Sequence, residues 1–338
     1  MAKKAWKFGI LLLAALLISG SAQMGATQLT NAQISEEIRV IPGGTVVGIK
    51  IWAGGIIVAD VEKKSPASKA GLRKGDFITT IGGEKVETVQ DFTAKTQAIA
   101  TNQTEFLVER EGRHLSMKIT PEQDLASGEY KVGAWVRDAA AGVGTMTYTC
   151  PETGEFGALG HAVTDIDTHT LVPLGSGKIV SCEVIGVQAS EAGAPGELRG
   201  VFSSAGDALG VINENKSDGI YGSISGESVA ARPSLRIANR DEVQTGVAYI
   251  LATVEGQNVQ QFEIEIERIN PSDGGNRELM LRVTDADLLE KTGGIVQGMS
   301  GCPIIQNDAL VGAITYVFIN DPTRGYGILA ENMINDGL

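Results

Sequence analysis

Short apolar runs separated by glycine-rich turns are the main pattern of the chain after residue 40. In its first part, Thr45–Ile51 and Gly55–Val61 have the length and the β-branched content of strands, and Gly75–Val86 has the pattern of two strands joined by a Gly-Gly turn. Thr88 with Asp91 predicts the N-cap of a helix. The segments EFLVER and HLSMKIT follow and predict a closing hairpin.

Residues 126–338 continue the strand pattern as a second unit. Strand-length apolar segments recur between glycine-rich turns, namely VGAWVR, GTMTYT, GKIVSCEVIGV, GVAYILATV, FEIEIERI and LMLRVT. One short helix is predicted, with Thr284 or Asp285 as its N-cap, ADLLEK as its body and Gly293 with Gly294 as its stop. Many short strands joined by turns predict a mainly β fold, either a sandwich or barrels, including a pair of small barrels.

The first 22 residues have the pattern of an export signal. Three lysines precede an apolar run, Phe8–Ile18, and small residues follow it. This run is shorter than the about 20 residues that a membrane span usually needs. We expect a transmembrane anchor, with a cleaved signal as the close alternative, and a polar tether over residues 23–40. Either way the body of the protein is predicted to be exported.

The charge balance and the cysteines exclude several classes of function. The net charge is −13, and without the three leader lysines 25 basic residues stand against 41 acidic ones. Nucleic acid and anionic membrane surfaces are poor partners for such a body. The cysteines Cys150, Cys182 and Cys302 have no CxxC spacing, so neither a disulfide framework nor a structural zinc site is indicated, and no cofactor is expected.

The segment GMSG, around Ser300, carries the candidate chemistry. A serine nucleophile needs a base within hydrogen-bond reach and backbone donors for the oxyanion, which the N–H groups of Gly298 and Ser300 can supply. The chain has three histidines, His114, His161 and His169, and His161 is the best candidate for the base. A histidine upstream of the serine and a hairpin after it disfavour an α/β-hydrolase and favour a trypsin-like double β-barrel.

The stretch SPASKAGLRKGDFITTIGG resembles the signature of PDZ domains, and the resemblance covers residues 41–122. It implies a module that binds an extended peptide at a sheet edge. The chain's own N-terminal segment is one candidate for that peptide. By this resemblance the carboxylate-holding loop and the edge strand lie in Pro42–Ile51, where the peptide-binding residues are Gly43, Gly44, Val47, Gly48 and Ile49. Docking on the neighbouring domain is the alternative role for the module.

Three further segments resemble the family of stage IV sporulation protein B, a PDZ-containing serine peptidase of endospore-forming bacteria. They are GEFGALGHAVTDIDT, LLEKTGGIVQGMSGCPIIQN and VFINDPTRGYGI. The resemblance implies a peptidase domain over residues 126–338 with Ser300 as nucleophile, His161 as base and Asp285 as acidic member. It also implies a role: an enzyme between the two forespore membranes that cleaves itself and then a membrane-embedded regulatory complex, which triggers intramembrane processing of a late sigma-factor precursor.

Four alternatives stay open at the sequence level. Cys302 stands where the family commonly has serine and is a competing nucleophile. Asp165 and Asp167 rival Asp285 as the acid, and a backbone carbonyl can also orient an imidazole. His161, Asp165, Asp167 and His169 share one face of an extended segment, which is compatible with a metal site but matches no zinc spacing. A catalytically silent PDZ scaffold that regulates a partner protease is the alternative function.

Overall fold

The computed structural model describes residues 38–202, 208–224, 232–270 and 275–337. The predicted leader, residues 1–22, and nearly all of the predicted tether, residues 23–40, lie outside the described residues. Within the described ranges, no helix combines the length and the apolar character that crossing a membrane requires. The predicted mainly β fold is confirmed, because strands dominate these ranges.

The first half of the peptidase unit is a closed antiparallel barrel. Its strands pair in the cyclic order β2, β9, β10, β14, β13, β11 and back to β2. Phe156, Ile179 and Ile220 fill its interior. The barrel strands are β2 (Val46–Val61), β9 (Ala134–Thr149), β10 (Glu155–Ala158), β11 (Ser176–Gln188), β13 (Gly210–Lys216) and β14 (Gly219–Ile224), with β1 (Arg39–Pro42) beside β9 and β12 (Glu197–Phe202) beside β11.

The second half is another closed antiparallel barrel. Its strands pair in the order β16, β17, β18, β21, β20, β19 and back to β16. Ile250, Ile264 and Met299 lie in its core. The barrel strands are β16 (Gly246–Thr253), β17 (Val259–Ile269), β18 (Leu279–Val283), β19 (Pro303–Gln306), β20 (Ala309–Phe318) and β21 (Asp321–Leu329), with β15 (Leu235–Ile237) between β1 and β20. The pair of barrels predicted from the sequence is therefore present.

The PDZ-like unit is an insertion into the β2–β9 hairpin of the first barrel. The two long strands pair from Val46 with Thr145 to Val61 with Ala134, so one ribbon belongs to both units. A separate core around Phe106, Ile78 and Phe92 fills the inserted part. Its other strands are β3 (Phe77–Ile81), β4 (Glu84–Lys85), β5 (Thr104–Arg110), β6 (Arg113–Ile119), β7 (Glu122–Gln123) and β8 (Tyr130–Lys131).

Of the four α-helices in the described residues, two begin at N-caps that the sequence predicts, Thr88 and Asp285. In α1 (Pro66–Ala70), Ser65 is the N-cap and Gly71 closes the helix in the left-handed conformation. Thr88 caps α2 (Val89–Ile99) by accepting from the Asp91 N–H. Asp285 caps α3 (Ala286–Thr292), which ends at Gly293. A last helix, α4 (Ala330–Gly337), packs Met333 and Ile334 against Tyr148 and Ile237.

The strand assignments around residue 50 need a correction. The predicted strands Thr45–Ile51 and Gly55–Val61 form one strand, β2, because Gly54 in the left-handed region allows the chain to kink without leaving the sheet. Residues 46–52 of this strand belong to the barrel and not to the PDZ-like unit, since they pair with β11 and β9. The PDZ-like core therefore draws on residues 56–136.

An insertion between paired strands predicts that the barrels fold without it. We expect a chain of residues 38–337 in which an Asn-Gly turn replaces residues 54–137 to unfold cooperatively, with a free energy of unfolding in the about 5–15 kcal/mol range of stable domains. Denaturant unfolding followed by circular dichroism measures this. A chain that shows no cooperative transition would mean that the inserted unit is an integral part of the barrel.

Candidate active site

Two consecutive tight turns, residues 296–299 and 299–302, connect α3 to β19, and Ser300 lies in the second. The Met299 N–H donates to the Val296 carbonyl at 3.1 Å, and the Cys302 N–H donates to the Met299 carbonyl at 3.0 Å. The third position of each turn is a glycine with positive φ, +98° at Gly298 and +93° at Gly301. Turns of this kind require φ above zero at that position, which explains both glycines of the segment GMSG.

Strands from both barrels hold these turns in place. From β9, the Thr145 N–H donates to the Ser300 carbonyl at 2.9 Å and the Thr147 hydroxyl donates to the Gly301 carbonyl at 2.9 Å. From β20, the Ile314 carbonyl accepts from the Gly301 N–H at 2.8 Å. A side chain at position 301 has no room, because its Cβ would lie 2.1 Å from the Thr145 carbonyl oxygen. The backbone around the serine is thus fixed on two sides.

The polar groups expected to react are available. The Ser300 hydroxyl donates to the Thr315 carbonyl at 2.8 Å, and one rotation about its Cα–Cβ bond releases it from that bond. Among the described residues, neither the Gly298 N–H nor the Ser300 N–H donates to an acceptor in the protein. Backbone donors that are unoccupied and belong to the same turn as a serine hydroxyl are groups that can stabilise an oxyanion.

His161 follows β10 through a tight bend. Leu159 and Gly160 both have positive φ, +71° and +70°, and a Cβ on Gly160 would lie 2.9 Å from the Thr315 methyl group. The His161 ring stacks on the Tyr316 ring, with 5.1 Å between centroids and 19° between planes. Tyr316 is fixed in turn, because its hydroxyl accepts from the Asn276 amide at 2.9 Å. The imidazole is therefore held on β20, beside the residue whose carbonyl binds Ser300.

The environment of His161 favours a neutral ring with one defined tautomer. Its Nδ1 lies 2.8 Å from the Ala162 carbonyl oxygen, which can only accept, so Nδ1 carries the proton and Nε2 is left as an acceptor. Burial lowers the pKa of His161, and the hydrogen bond to Ala162 opposes that shift only in part. A neutral imidazole with a bare Nε2 is the form that a general base requires.

Ser300 and His161 line the same cleft at the junction of the two barrels. Its volume is about 600 Å³. The walls come from residues 140–143 of β9, from the segment around His161, from residues 295–298 and from β20. None of the described lining residues is an aspartate, glutamate, lysine or arginine. Of the predicted site residues, the structure brings together Ser300, His161 and Gly298.

Asp285 is not brought to this cleft. Its carboxylate caps α3, accepting from the Leu288 N–H at 3.0 Å and the Glu263 N–H at 3.3 Å. These bonds match the structural role of an N-cap acid. The role of Asp285 as the acidic member of the triad therefore stays a prediction, and no contact with His161 among the described residues supports it.

Asp165 and Asp167 also have other partners. Asp165 is 4% exposed, accepts from the Asp167 and Thr168 N–H groups and pairs with Arg137 at 3.1 Å. Burial raises its pKa, but the hydrogen bonds from Thr168 and Arg137 together outweigh burial and lower it. Asp167 pairs with the same guanidinium. Within the described ranges, no group of three or more histidine, cysteine, aspartate or glutamate side chains is arranged to hold a metal ion.

Cys302 is positioned as a core residue. Its side chain is fully buried and its Sγ lies 3.7 Å from the Thr145 hydroxyl, to which it donates. Burial raises the pKa of the thiol to about 12, against a small opposing effect of that hydrogen bond. Since the thiolate is the reactive form of cysteine, a thiol that stays protonated inside the core does not compete with Ser300.

The peptide-binding residues predicted in Pro42–Ile51 are corrected. Val47 and Ile49 are 0% and 3% exposed in the core of the first barrel, and both edges of their strand are paired. Gly43 and Gly44 donate to the Thr147 and Met146 carbonyls. A Cβ on Gly48 would lie 2.5 Å from the Phe202 ring. Adding a peptide strand requires an open edge, and this stretch has none.

Two residues of the site were not predicted from the sequence, Thr145 and Tyr316. Both lie in strands that the apolar pattern identifies, but the contacts that bring them to the site, Thr145 with Ser300 and Tyr316 with His161, each join residues 155 positions apart. Thr145 is one of a run of alternating threonines, TMTYT, and such a row of hydroxyls on the buried face is the one signal that could have drawn attention to it.

Comparisons with known proteins identify two family models that match this chain. A model of the family described as SpoIVB peptidase S55 matches residues 128–334, and a PDZ domain model matches residues 27–120. Protease RseP of Photorhabdus luminescens is 38% identical over 76 residues, 22% of this chain and 34% of that protein. A DegP-like periplasmic serine endoprotease of Rhizobium meliloti is 27% identical over 177 residues, 49% of this chain and 32% of that protein.

The chain thus spans about a third or less of the length of these curated relatives. Among solved structures, the active form of the Rv3671c protease from M. tuberculosis is similar over 59% of this chain and 73% of that chain. The identity is 14% and the TM-score is 0.34.

The burial of Cys302 predicts that this cysteine is dispensable for catalysis. We expect Cys302→Ser to keep activity within about threefold of the parent chain on labelled casein, while Ser300→Ala loses it, because a protonated buried thiol is not a nucleophile. Maleimide treatment of the folded parent chain serves as a second measurement, and it should leave activity unchanged. Activity that survives Ser300→Ala and disappears in Cys302→Ser would reverse the assignment.

Proposed function

The chain belongs to the SpoIVB peptidase S55 family and is a serine peptidase, and we propose that it acts as an exported endopeptidase of sporulation with His161 and Ser300 as its catalytic pair. The observation that carries the proposal is the shared cleft: a serine in a tight glycine turn and a neutral, oriented imidazole lie at the junction of two barrels. The N–H groups of Gly298 and Ser300, which have no acceptor among the described residues, accompany them.

The proposed reaction uses only groups of this chain. The Ser300 hydroxyl rotates from the Thr315 carbonyl towards Nε2 of His161, which takes its proton as Oγ bonds to the substrate carbonyl carbon. The N–H groups of Gly298 and Ser300 bind the oxyanion, and His161 then passes the proton to the leaving amine. Water repeats the sequence on the acyl-enzyme, with His161 again as base and acid.

The cleft indicates the chemistry of the substrate. None of the described residues that line it is an aspartate, glutamate, lysine or arginine, although the chain as a whole has a net charge of −13. Exposed apolar residues flank it, among them Ile166 and Ile319. We therefore propose that the bond cut lies between uncharged residues in an extended segment, since charged side chains would lose hydration there without gaining a partner.

The cellular role is proposed from the family and the leader. The leader pattern supports export with one N-terminal anchor, and the resemblance supports the space between the forespore membranes as the site of action. There the enzyme would cleave itself and then a membrane-embedded regulatory complex, which releases the processing of a late sigma-factor precursor. The PDZ unit supports binding of a peptide or protein partner.

Self-cleavage is the direct test of the catalytic pair. We expect the purified exported chain to trim its own N-terminal part, and Ser300→Ala and His161→Ala to abolish trimming, with activity at least about a thousandfold lower. Mass spectrometry of the fragments measures both the rates and the bonds that are cut, and we expect uncharged residues on each side of those bonds.

A matched chain supplies the control for this test. Ser223→Ala removes a strand hydroxyl in β14, outside the cleft, and should trim as the parent chain does. If no Ser300-dependent trimming appears on any substrate or in any folding condition, the alternative of a catalytically silent PDZ scaffold replaces the proposal.

The buried imidazole also predicts the pH dependence of the reaction. The neutral ring is the base, and burial lowers its pKa below the ordinary value of 6.5, so kcat/KM is present above that pKa and is lost as pH falls through it. We expect the midpoint of the acid limb of kcat/KM below 6.5. A midpoint above 6.5 that drops in Asp285→Asn would instead mean that a carboxylate reaches His161 during turnover.

A further inference from the structure

Every polar atom of Thr145 makes a hydrogen bond to one of two segments, the turns around Ser300 or the bend that precedes His161. Its N–H donates to the Ser300 carbonyl at 2.9 Å, and its carbonyl accepts from the Leu159 N–H at 3.2 Å, two residues before His161. Its hydroxyl donates to the Gly298 carbonyl at 2.7 Å and accepts from the Cys302 thiol. The residue is fully buried and does not line the cleft.

The bond to Gly298 matters because of which peptide group it fixes. The peptide between Gly298 and Met299 is held at both ends: its carbonyl accepts from the Thr145 hydroxyl, and its N–H donates to the Val296 carbonyl at 3.1 Å. Glycine at 298 would otherwise permit this peptide to rotate freely. The Gly298 N–H belongs to the preceding peptide group and the Ser300 N–H to the following one, so the peptide that is held at both ends lies between the two oxyanion donors.

We propose that Thr145 is a positioning residue whose hydroxyl fixes the peptide between the Gly298 and Ser300 N–H groups and so keeps these two donors aimed at the oxyanion. The inference rests on the proposed serine mechanism and extends it from the reacting groups to the strand behind them. Without the hydroxyl, the buried Gly298 carbonyl has no partner, and it regains one most directly by turning its peptide. The backbone on either side of that peptide then shifts, and the two donors lose their common aim although the side chains of Ser300 and His161 are unchanged.

Thr145→Val tests this inference because valine has nearly the same shape and lacks the hydroxyl. On a quenched-fluorescence peptide copied from a self-cleavage site, we expect kcat about 10- to 100-fold lower and KM within about twofold, since a displaced donor affects the transition state and not substrate docking. The rate at which a fluorophosphonate labels Ser300 should fall in parallel. Thr145→Ser restores the hydroxyl and should recover most of both rates.

Thr253→Val is the matched control for general effects of losing a buried hydroxyl. Thr253 is 1% exposed, and its hydroxyl donates to the Gly44 carbonyl at 2.8 Å between the two barrels, away from the cleft. We expect its kcat to stay within about threefold of the parent chain. Thermal unfolding of both variants compares their stability, and Thr145→Ala removes the same hydroxyl with no added methyl group if the valine variant fails to fold.

The outcomes separate this inference from the function on which it rests. A kcat for Thr145→Val equal to that of Thr253→Val would overturn the positioning role. A kcat for Thr145→Ser as low as that of Thr145→Val would overturn it as well. Ser300→Ala as active as the parent chain would overturn the proposed serine mechanism itself. If Ser300→Ala is inactive and Thr145→Val is fully active, only the role of Thr145 fails.

Discussion

The hydrogen bonds between strand β9 and the nucleophile turn are the contacts on which the site depends. Ser300 and His161 are 139 residues apart and belong to different barrels, each of which is closed by its own strand pairs. Pairing within a barrel cannot set the position of the other one. Thr145 and Thr147 reach across the junction from fully buried positions, so a shift of either barrel would leave several polar groups without partners at once.

The same strand also reaches the PDZ-like unit. β9 begins at Ala134 inside that unit, pairs with β2 along its length and ends beside the nucleophile turn. Near its start, Arg137 pairs with Asp165 and Asp167, which follow His161 in the chain. One strand therefore contacts the inserted unit, the histidine loop and the serine turn. Placing the insertion in this hairpin puts a binding module on the element that aligns the reacting groups.

Local features of the sequence predicted local structure well, but they could not predict which strands pair with each other. The caps Thr88 and Asp285 mark helix starts because their side chains accept from N–H groups three residues on, a spacing that the sequence shows directly. The same short range explains why Ser300 and Gly298 stood out. Val47 and Ile49 were predicted to lie at an open sheet edge because an edge strand and an interior strand can have the same apolar pattern. Only the pairing of their strand with β9 and β11, far along the chain, shows that it is an interior strand.

The orientation of His161 by a backbone carbonyl has a chemical consequence. The Ala162 oxygen selects the tautomer as well as a carboxylate would, but it carries no full charge to stabilise the imidazolium that forms when Ser300 is deprotonated. Burial adds to this cost, because it lowers the pKa of the ring and so disfavours the charged form. In the proposed mechanism, the stabilisation of the proton transfer then comes mainly from the oxyanion side, where preorganised N–H groups act without moving. In such a site the precision of the Gly298–Ser300 turn has more weight in the rate than the strength of the base.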